Sequence, residues 1–320
     1  MKTYRVFFFS LPLLLAMPRF AHADENLLGY ISSTETLPQG ANEMYFVVTR
    51  RADKGDGNFP AGRGHYVAHD YEVDYEHGIT HRLTGAIELK GQAIDTRGLV
   101  IDGYMPGAEK YGFKLSGIEG KLKYNFLSVA KDDIGLSATF SLQQNWLDPH
   151  SGRDKDTTKF EVGLQLQKLL LDDQLSLVAN TALEGTYAKR ARLSAATQAK
   201  ADAAIQAITG DPAALFEWPT DPEMEIEFSL GAGASYRFAP NWNIGIETLY
   251  QTEFETDVGQ ERWSWFAGPS LHYGAKEWWA TLTWFEQIKG GRERYIGQTE
   301  DLHLIEKTRH ELRFKLGYNF

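Results

Sequence analysis

The stretch Phe314-Lys315-Leu316-Gly317-Tyr318-Asn319-Phe320 ends the chain and decides how the rest is read. Large apolar residues (Phe314, Leu316, Tyr318, Phe320) alternate with polar or small ones (Lys315, Gly317, Asn319). Successive side chains of a strand point to opposite faces, so this segment has one apolar and one polar face. Chain ends are usually polar and frayed. A strand with lipid on one side and an aqueous lumen on the other requires this alternation. From the segment alone, a soluble β-protein whose last strand ends abruptly stays open.

Working outward, the same period-2 pattern recurs about eleven more times. Strands are expected over residues 43–51, 65–75, 81–91, 111–126, 134–146, 159–170, 174–187, 223–238, 241–254, 262–273, 277–287 and 308–320. In the clearest of them Met224, Ile226, Phe228 and Leu230 face one way and Glu223, Glu225, Glu227 and Ser229 the other. Segments of roughly ten residues or more match strands that cross a membrane at a tilt. Short turns (Glu76-His77-Gly78, Lys131-Asp132-Asp133, Asp172-Asp173, Pro240-Asn241, Gly274-Ala275-Lys276) alternate with long links at 52–64, 92–110, 147–158, 188–222 and 289–307. The link near Val258-Gly259 is the exception. A periplasmic β-sandwich does not account for that alternation. The expected fold is all-β, a transmembrane antiparallel up-and-down barrel of about twelve strands, with ten to fourteen open and both termini on the short-turn, periplasmic side. Residues 193–208 are Ala-rich, follow a candidate N-cap at Ser194 and stop at Gly210-Asp211-Pro212, which predicts a helix inside the longest external loop.

The start of the chain agrees with export. Lys2 and Arg5 precede an apolar run from Val6 to Met17, and Ala21-His22-Ala23 fits a signal-peptidase site, so residues 1–23 are expected as a signal peptide cleaved after Ala23. Residues 24–42 are expected as a periplasmic N-terminal arm and 43–320 as the barrel. No later stretch of about 20 apolar residues predicts a membrane helix. The mean hydropathy of −0.38 is what a barrel with polar inward residues gives. With no cysteine, the exported chain has no disulfide to hold it. Loss of the signal removes three bases and no acid, taking the net charge from −10 to −13. An acidic balance opposes nucleic-acid binding. The composition includes 8 Trp and 15 Tyr, residue types that form girdles at membrane interfaces.

Several stretches resemble an uncharacterised family of proteobacterial outer-membrane β-barrel proteins. They are Thr36-Leu37-Pro38-Gln39-Gly40, Arg50-Arg51-Ala52-Asp53-Lys54-Gly55, the run from Thr252 to Pro269, Trp278-Trp279-Ala280-Thr281-Leu282-Thr283-Trp284-Phe285 and the terminal strand. The likeness covers most of the mature chain. It implies a barrel in the Gram-negative outer membrane, in contact with its lipids, and no particular activity. The ending is also similar to terminal strands that the barrel-assembly machinery recognises, which makes Phe314, Leu316, Tyr318 and Phe320 the expected assembly signal.

Residues able to do chemistry are sparse. His150 and Ser151, in Asp148-Pro149-His150-Ser151-Gly152, are the nearest to a hydrolytic pair, but sequence neighbours diverge and the pattern of the outer-membrane phospholipase is absent. His65, His69, His77 and His81 are close in sequence yet spread over two strands and a turn. Asp53-Lys54-Gly55-Asp56-Gly57-Asn58 loosely resembles an oxygen-rich calcium loop and lacks its bidentate Glu. No catalytic residue, metal site or cofactor is assigned.

The inward faces carry the remaining signal. Acids fall on the second, eighth and ninth strands (Glu72, Asp74; Glu225, Glu227; Glu247) and bases on the fourth and twelfth (Lys121, Lys123; Arg309, Arg313, Lys315). Closure of the barrel is expected to bring Arg313 and Lys315 near the acids of the second strand. Two readings of these faces stand together: a salt-bridged, blocked lumen, or a lined pore that orients a solute. The expected role is a monomeric narrow channel or transporter for a small polar or charged solute. The alternatives are an outer-leaflet lipid-modifying enzyme (lipase or deacylase) and a structural or adhesive surface protein.

Overall fold

The computed structural model describes residues 26–54, 66–255 and 259–320. In chain order the elements are β1 (Asn42–Ala52), β2 (Val67–Thr80), β3 (Leu83–Asp95), a small hairpin β4 (Val100–Ile101) and β5 (Met105–Pro106), β6 (Lys110–Leu127), β7 (Gly135–Leu147), β8 (Asp154–Leu170), β9 (Leu175–Arg190), helix α1 (Ala195–Thr209), β10 (Glu223–Ala239), β11 (Trp242–Glu255), β12 (Gly259–Gly274), β13 (Trp278–Arg292) and β14 (His310–Asn319). All strands but β4 and β5 form one closed barrel in which each strand pairs with its sequence neighbours and β14 pairs with β1. Twelve strands is therefore the observed number among the described residues.

Alternation explains the wall. Ile87 and Leu89 of β3, Leu164 and Leu166 of β8 and Ile226 and Leu230 of β10 are exposed on the outside. The residues between them point inward, and many are buried although polar, among them Glu88, Gln165 and Glu247. Closure needs the terminal alternation. Phe314, Leu316 and Tyr318 lie opposite Val48, Phe46 and Met44 on the outer face. Asn42 and Phe320 exchange backbone hydrogen bonds at the seam.

The short turns share one end and the long links the other. One expected turn moves. Glu76-His77-Gly78 is not a turn: β2 runs on to Thr80 and reverses at His81-Arg82. The reason is an extra partner, because Gly78 exchanges backbone hydrogen bonds with Gly40 and Ala41, which extends the ladder. The 147–158 link also shortens, since β8 begins at Asp154.

Helix α1 forms where the caps allow. Ser194 Oγ accepts from Thr197 N at 3.1 Å, and Gly210 takes the left-handed conformation (φ 71°) that ends the helix. Its buried residues, Ala201 and Ile205, pack on Val100 of the β4–β5 hairpin and on Phe216.

Residues 26–41 correct an expectation. They do not hang in the periplasm as an arm but cross the inside of the barrel. The expected signal peptide and the cleavage position Ala23 lie outside the described residues.

Candidate functional site in the lumen

The barrel interior is closed by two structures of different kinds. At the short-turn end the arm is pinned along its length to the wall. Asn26 takes Lys315 Nζ on its side chain (2.7 Å) and Thr281 Oγ1 on its carbonyl (2.5 Å). The successive N–H groups of Gly29, Tyr30 and Ile31 donate to the Glu247 carboxylate at 2.8, 2.8 and 3.1 Å, and Thr283 Oγ1 adds a fourth bond at 2.9 Å. Farther across, Ser32 exchanges two bonds with Asn180, Thr34 N reaches Gln167 (3.0 Å) and Leu37 N reaches Thr84 (2.9 Å). One peptide thereby touches β14, β13, β11, β9, β8 and β3 in turn.

Small residues make room for it. A Cβ at Gly231 would lie 2.3 Å from Ile31 Cδ1, and one at Gly233 equally close to Leu28 Cδ1. The inward Gly231 and Gly233 of β10 are thus the seat for Leu28 and Ile31, which pack there with Val178. Glu247 is only 1% exposed, and the four hydrogen bonds its carboxyl group accepts compensate its desolvation.

At the long-loop end the closure is a hydrophobic core. Tyr66, Ala68, Ile94, Leu99, Ile101, Met105, Tyr295, Leu302, Leu304 and Ile305 come from three separate long links and the strand ends beside them. Polar clamps tie this cap to the wall. Lys54 Nζ donates to the carbonyls of Leu304, Ile305 and Lys307 at 3.2, 2.8 and 2.9 Å. Gln287 binds His303 and Thr308, while Arg51 and Gln92 both hold the Pro149 carbonyl at 2.6 Å. Burial pulls the Lys54 ammonium well below its usual pKa, with Arg51 adding to the effect, and burial likewise lowers His150 and His303 well below theirs. Burial would raise the Glu306 carboxyl, but its cationic neighbours, Arg262 foremost, hold it well below the usual range.

Between arm and cap lies a cavity of about 260 Å³, bounded by Tyr30 below and by Pro149, His150, Glu306 and Lys307 above. Outside the cap a larger vestibule of about 800 Å³ carries Asp102, Glu217, Asp221, Glu223, Glu225, Glu255 and Glu293 against Arg190, Arg262 and Arg294.

The expected lumen residues divide among these parts. Asp74 is fully buried and accepts from Tyr45 Oη at 2.7 Å. Glu72 lies opposite Lys90, and Lys123 opposite Thr84 and Thr139. Lys121 sits 3.7 Å from Glu88 and 3.8 Å from Glu119, both of which Lys90 also bridges. Glu225 faces the vestibule; Glu227 accepts from Gln251 at 2.6 Å and lies 3.8 Å from Lys307. Arg309 precedes β14 and binds Glu300 (3.0 Å) and Asp53 (3.6 Å), so it braces the links instead of lining the pore.

Arg313 and Lys315 form no direct ion pair with the acids of β2, although Glu72 lies close enough to attract both. Strand β1 stands between them, and its own Arg51 takes Asp70 at 2.5 Å. Arg313 instead donates to Thr49 and to the Gly29 carbonyl and lies 4.1 Å over the Tyr30 ring.

His150 and Ser151 do not form a rim dyad. Asp148 Oδ1 accepts from both their backbone N–H groups, Ser151 is 1% exposed, and His150 is among the residues lining the internal cavity. His69, His77 and His81 hold different partners: Tyr71, Asn42 and Gln39. His65 and residues 55–58 of the calcium-like loop lie outside the described residues.

From the sequence the arm was expected in the periplasm and Lys54 only within a calcium-like stretch, while Tyr30, Glu306 and Arg262 were not marked as lumen residues. Two signals were available for the arm. Leu27, Leu28 and Ile31 are apolar in a segment expected in water, and Gly231 and Gly233 leave an inward strand face bare.

Comparison with known proteins agrees with this architecture. A search of curated protein sequences finds no match. Among solved structures, the fold is similar to the COG4313 outer membrane channel from Pseudomonas putida F1, with 10% identity over 90% of this chain and 98% of that one and a TM-score of 0.55. The translocator domain of the autotransporter NalP from Neisseria meningitidis shares 11% identity over 90% of this chain and 91% of its own, with a TM-score of 0.46. A KdgM porin shares 12% over 87% and 99%, with a TM-score of 0.40. The closed barrel with an apolar outer face sits in the outer membrane of a Gram-negative bacterium. The sequence model of a family of unknown function, DUF6662, matches residues 20–320, and the chain belongs to that family of outer-membrane barrels.

Proposed function

We propose that this protein is a gated, narrow outer-membrane channel for small polar solutes, captured closed. The observation that carries the reading is the arm. At the short-turn end one continuous peptide, seated on bare glycines, crosses the lumen. Such a closure can leave without unfolding the barrel. Charged inward faces and a polar cavity above the arm are what a solute would meet after its release. The acidic vestibule would concentrate cationic and zwitterionic solutes over anions.

The test is conductance in planar bilayers for the full chain and for a chain lacking residues 26–37. The full chain is expected to be closed or to open briefly. The deleted form is expected to show long-lived steps while keeping heat-modifiable mobility in detergent gels. If the deleted barrel is folded by that criterion and passes neither ions nor solutes, the channel reading is wrong.

A further inference from the structure

We infer that the cavity between arm and cap is a binding chamber for a small zwitterion bearing an apolar or aromatic side chain, an α-amino-acid-like solute. The inference rests on the channel reading and names what such a channel would hold.

One wall of the chamber is aromatic. Tyr30 stacks on Phe285 at 4.2 Å between ring centroids, and Phe285 stacks on Phe266 at 5.8 Å. Leu249 continues this apolar surface. Phe285 covers one face of the Tyr30 ring and Arg313 the other, so an apolar group would pack against ring edges and Leu249.

The opposite side carries charges of both signs with bonding capacity in reserve. Glu306 lies 3.6 Å from Arg262, and Lys307 lies 3.8 Å from Glu227. Both distances exceed hydrogen-bond length. Glu311 uses one carboxylate oxygen on Tyr30 Oη at 2.6 Å, leaving the other for a second donor.

Charge balance then selects the class. The chamber walls hold Arg51, Lys307 and Arg313 against Asp70, Glu306 and Glu311, an even match of bases and acids. A lone cation or a lone anion would find half of the wall repulsive. A zwitterion would place its ammonium toward Glu306 and Glu311 and its carboxylate toward Lys307. A volume of about 260 Å³ corresponds to the liquid share of roughly nine waters, which admits an amino acid and excludes an oligosaccharide.

The probe is tritiated L-phenylalanine, compared with 2-phenylethylamine, 3-phenylpropionate and glycine. The purified full chain is refolded in detergent with each probe, so that the chamber closes around it, and retention is read by equilibrium dialysis. About one equivalent of L-phenylalanine is expected. Each single-charge analogue, and glycine, should bind at least tenfold more weakly. Glu306→Gln should bring L-phenylalanine close to phenylpropionate, Lys307→Gln should bring it close to phenylethylamine, and Phe285→Leu should weaken L-phenylalanine while leaving glycine unchanged. Equal binding of all four probes, binding of none, or indifference to all three variants overturns the inference. The channel reading is tested separately by potassium chloride conductance of the arm-deleted form. Conductance without amino-acid binding sinks the chamber and spares the channel; binding without conductance does the reverse.

Discussion

The two ends of the lumen are closed by opposite means. The short-turn end uses one segment held mainly by hydrogen bonds, with Glu247 as its central anchor, and by the small cluster of Leu28, Ile31 and Val178. The long-loop end uses a hydrophobic core assembled from links far apart in sequence. A hydrogen-bonded strap can be exchanged for water or another ligand bond by bond. A core is lost only when several links move together. Of the two, the arm is the closure that can be released piecemeal and the cap the more permanent one.

Removing the anchor should break this contrast most strongly. In Glu247→Ala three arm donors and the Thr283 hydroxyl lose their acceptor, and an unsatisfied buried donor costs about 1–3 kcal/mol. A loss of about 3 kcal/mol moves the docked fraction roughly a hundredfold. Long open events should appear in bilayers, and the arm should become cleavable by protease in detergent. A closed, protected variant would show that Glu247 does not hold the gate.

A cavity in the cap should act differently. Leu304 is fully buried, and Leu304→Ala is expected to cost about 2–5 kcal/mol. Hydrogen exchange should accelerate across residues 293–309 and in the partner segments 96–106 together, with the arm still protected. Acceleration confined to one segment would contradict a shared core.

Acid should loosen the cap and spare the arm. Burial keeps His150 and His303 neutral, so an opened cap binds protons that the closed cap refuses. Their contribution is complete above the ordinary histidine pKa of about 6.5 and declines as pH falls below it. Glu306, held ionised by Arg262 and other cations, adds a contribution present above the ordinary carboxyl range and lost below it. The signs agree. Protection factors of residues 295–309, which remove the intrinsic slowing of exchange by acid, should fall from pH 7.5 to 5, and a flat protection profile would remove the linkage.

The smallest effect is expected outside both closures. Ser194→Ala removes the α1 cap at about 1 kcal/mol, which should loosen residues 195–209 in hydrogen exchange and leave conductance unchanged.

Much of the wall was legible before the structure. Met224 to Phe238 alternate so strictly that β10 could be placed almost to the residue, and Ser194 with Gly210 bounded the only long helix among the described residues. What failed were statements about partners. Arg313 was expected near the acids of β2 and does feel Glu72, but the groups it touches are Thr49 and Tyr30, because facing inward does not name the direct partner. Glu76-His77-Gly78 read as a turn until Gly40 and Ala41 supplied a ladder partner.

By itself, the sequence determined the strands, their two faces, the alternation of short and long links and hence a barrel in the outer membrane. These follow from periodicity and local turn chemistry, which neighbours along the chain settle among themselves. Only the tertiary structure decided that the lumen is closed, which segment closes it and which charges are satisfied. Glu247 and Gly29 are 218 positions apart, and their bond depends on the cross-section of a closed barrel, a property that no local pattern encodes.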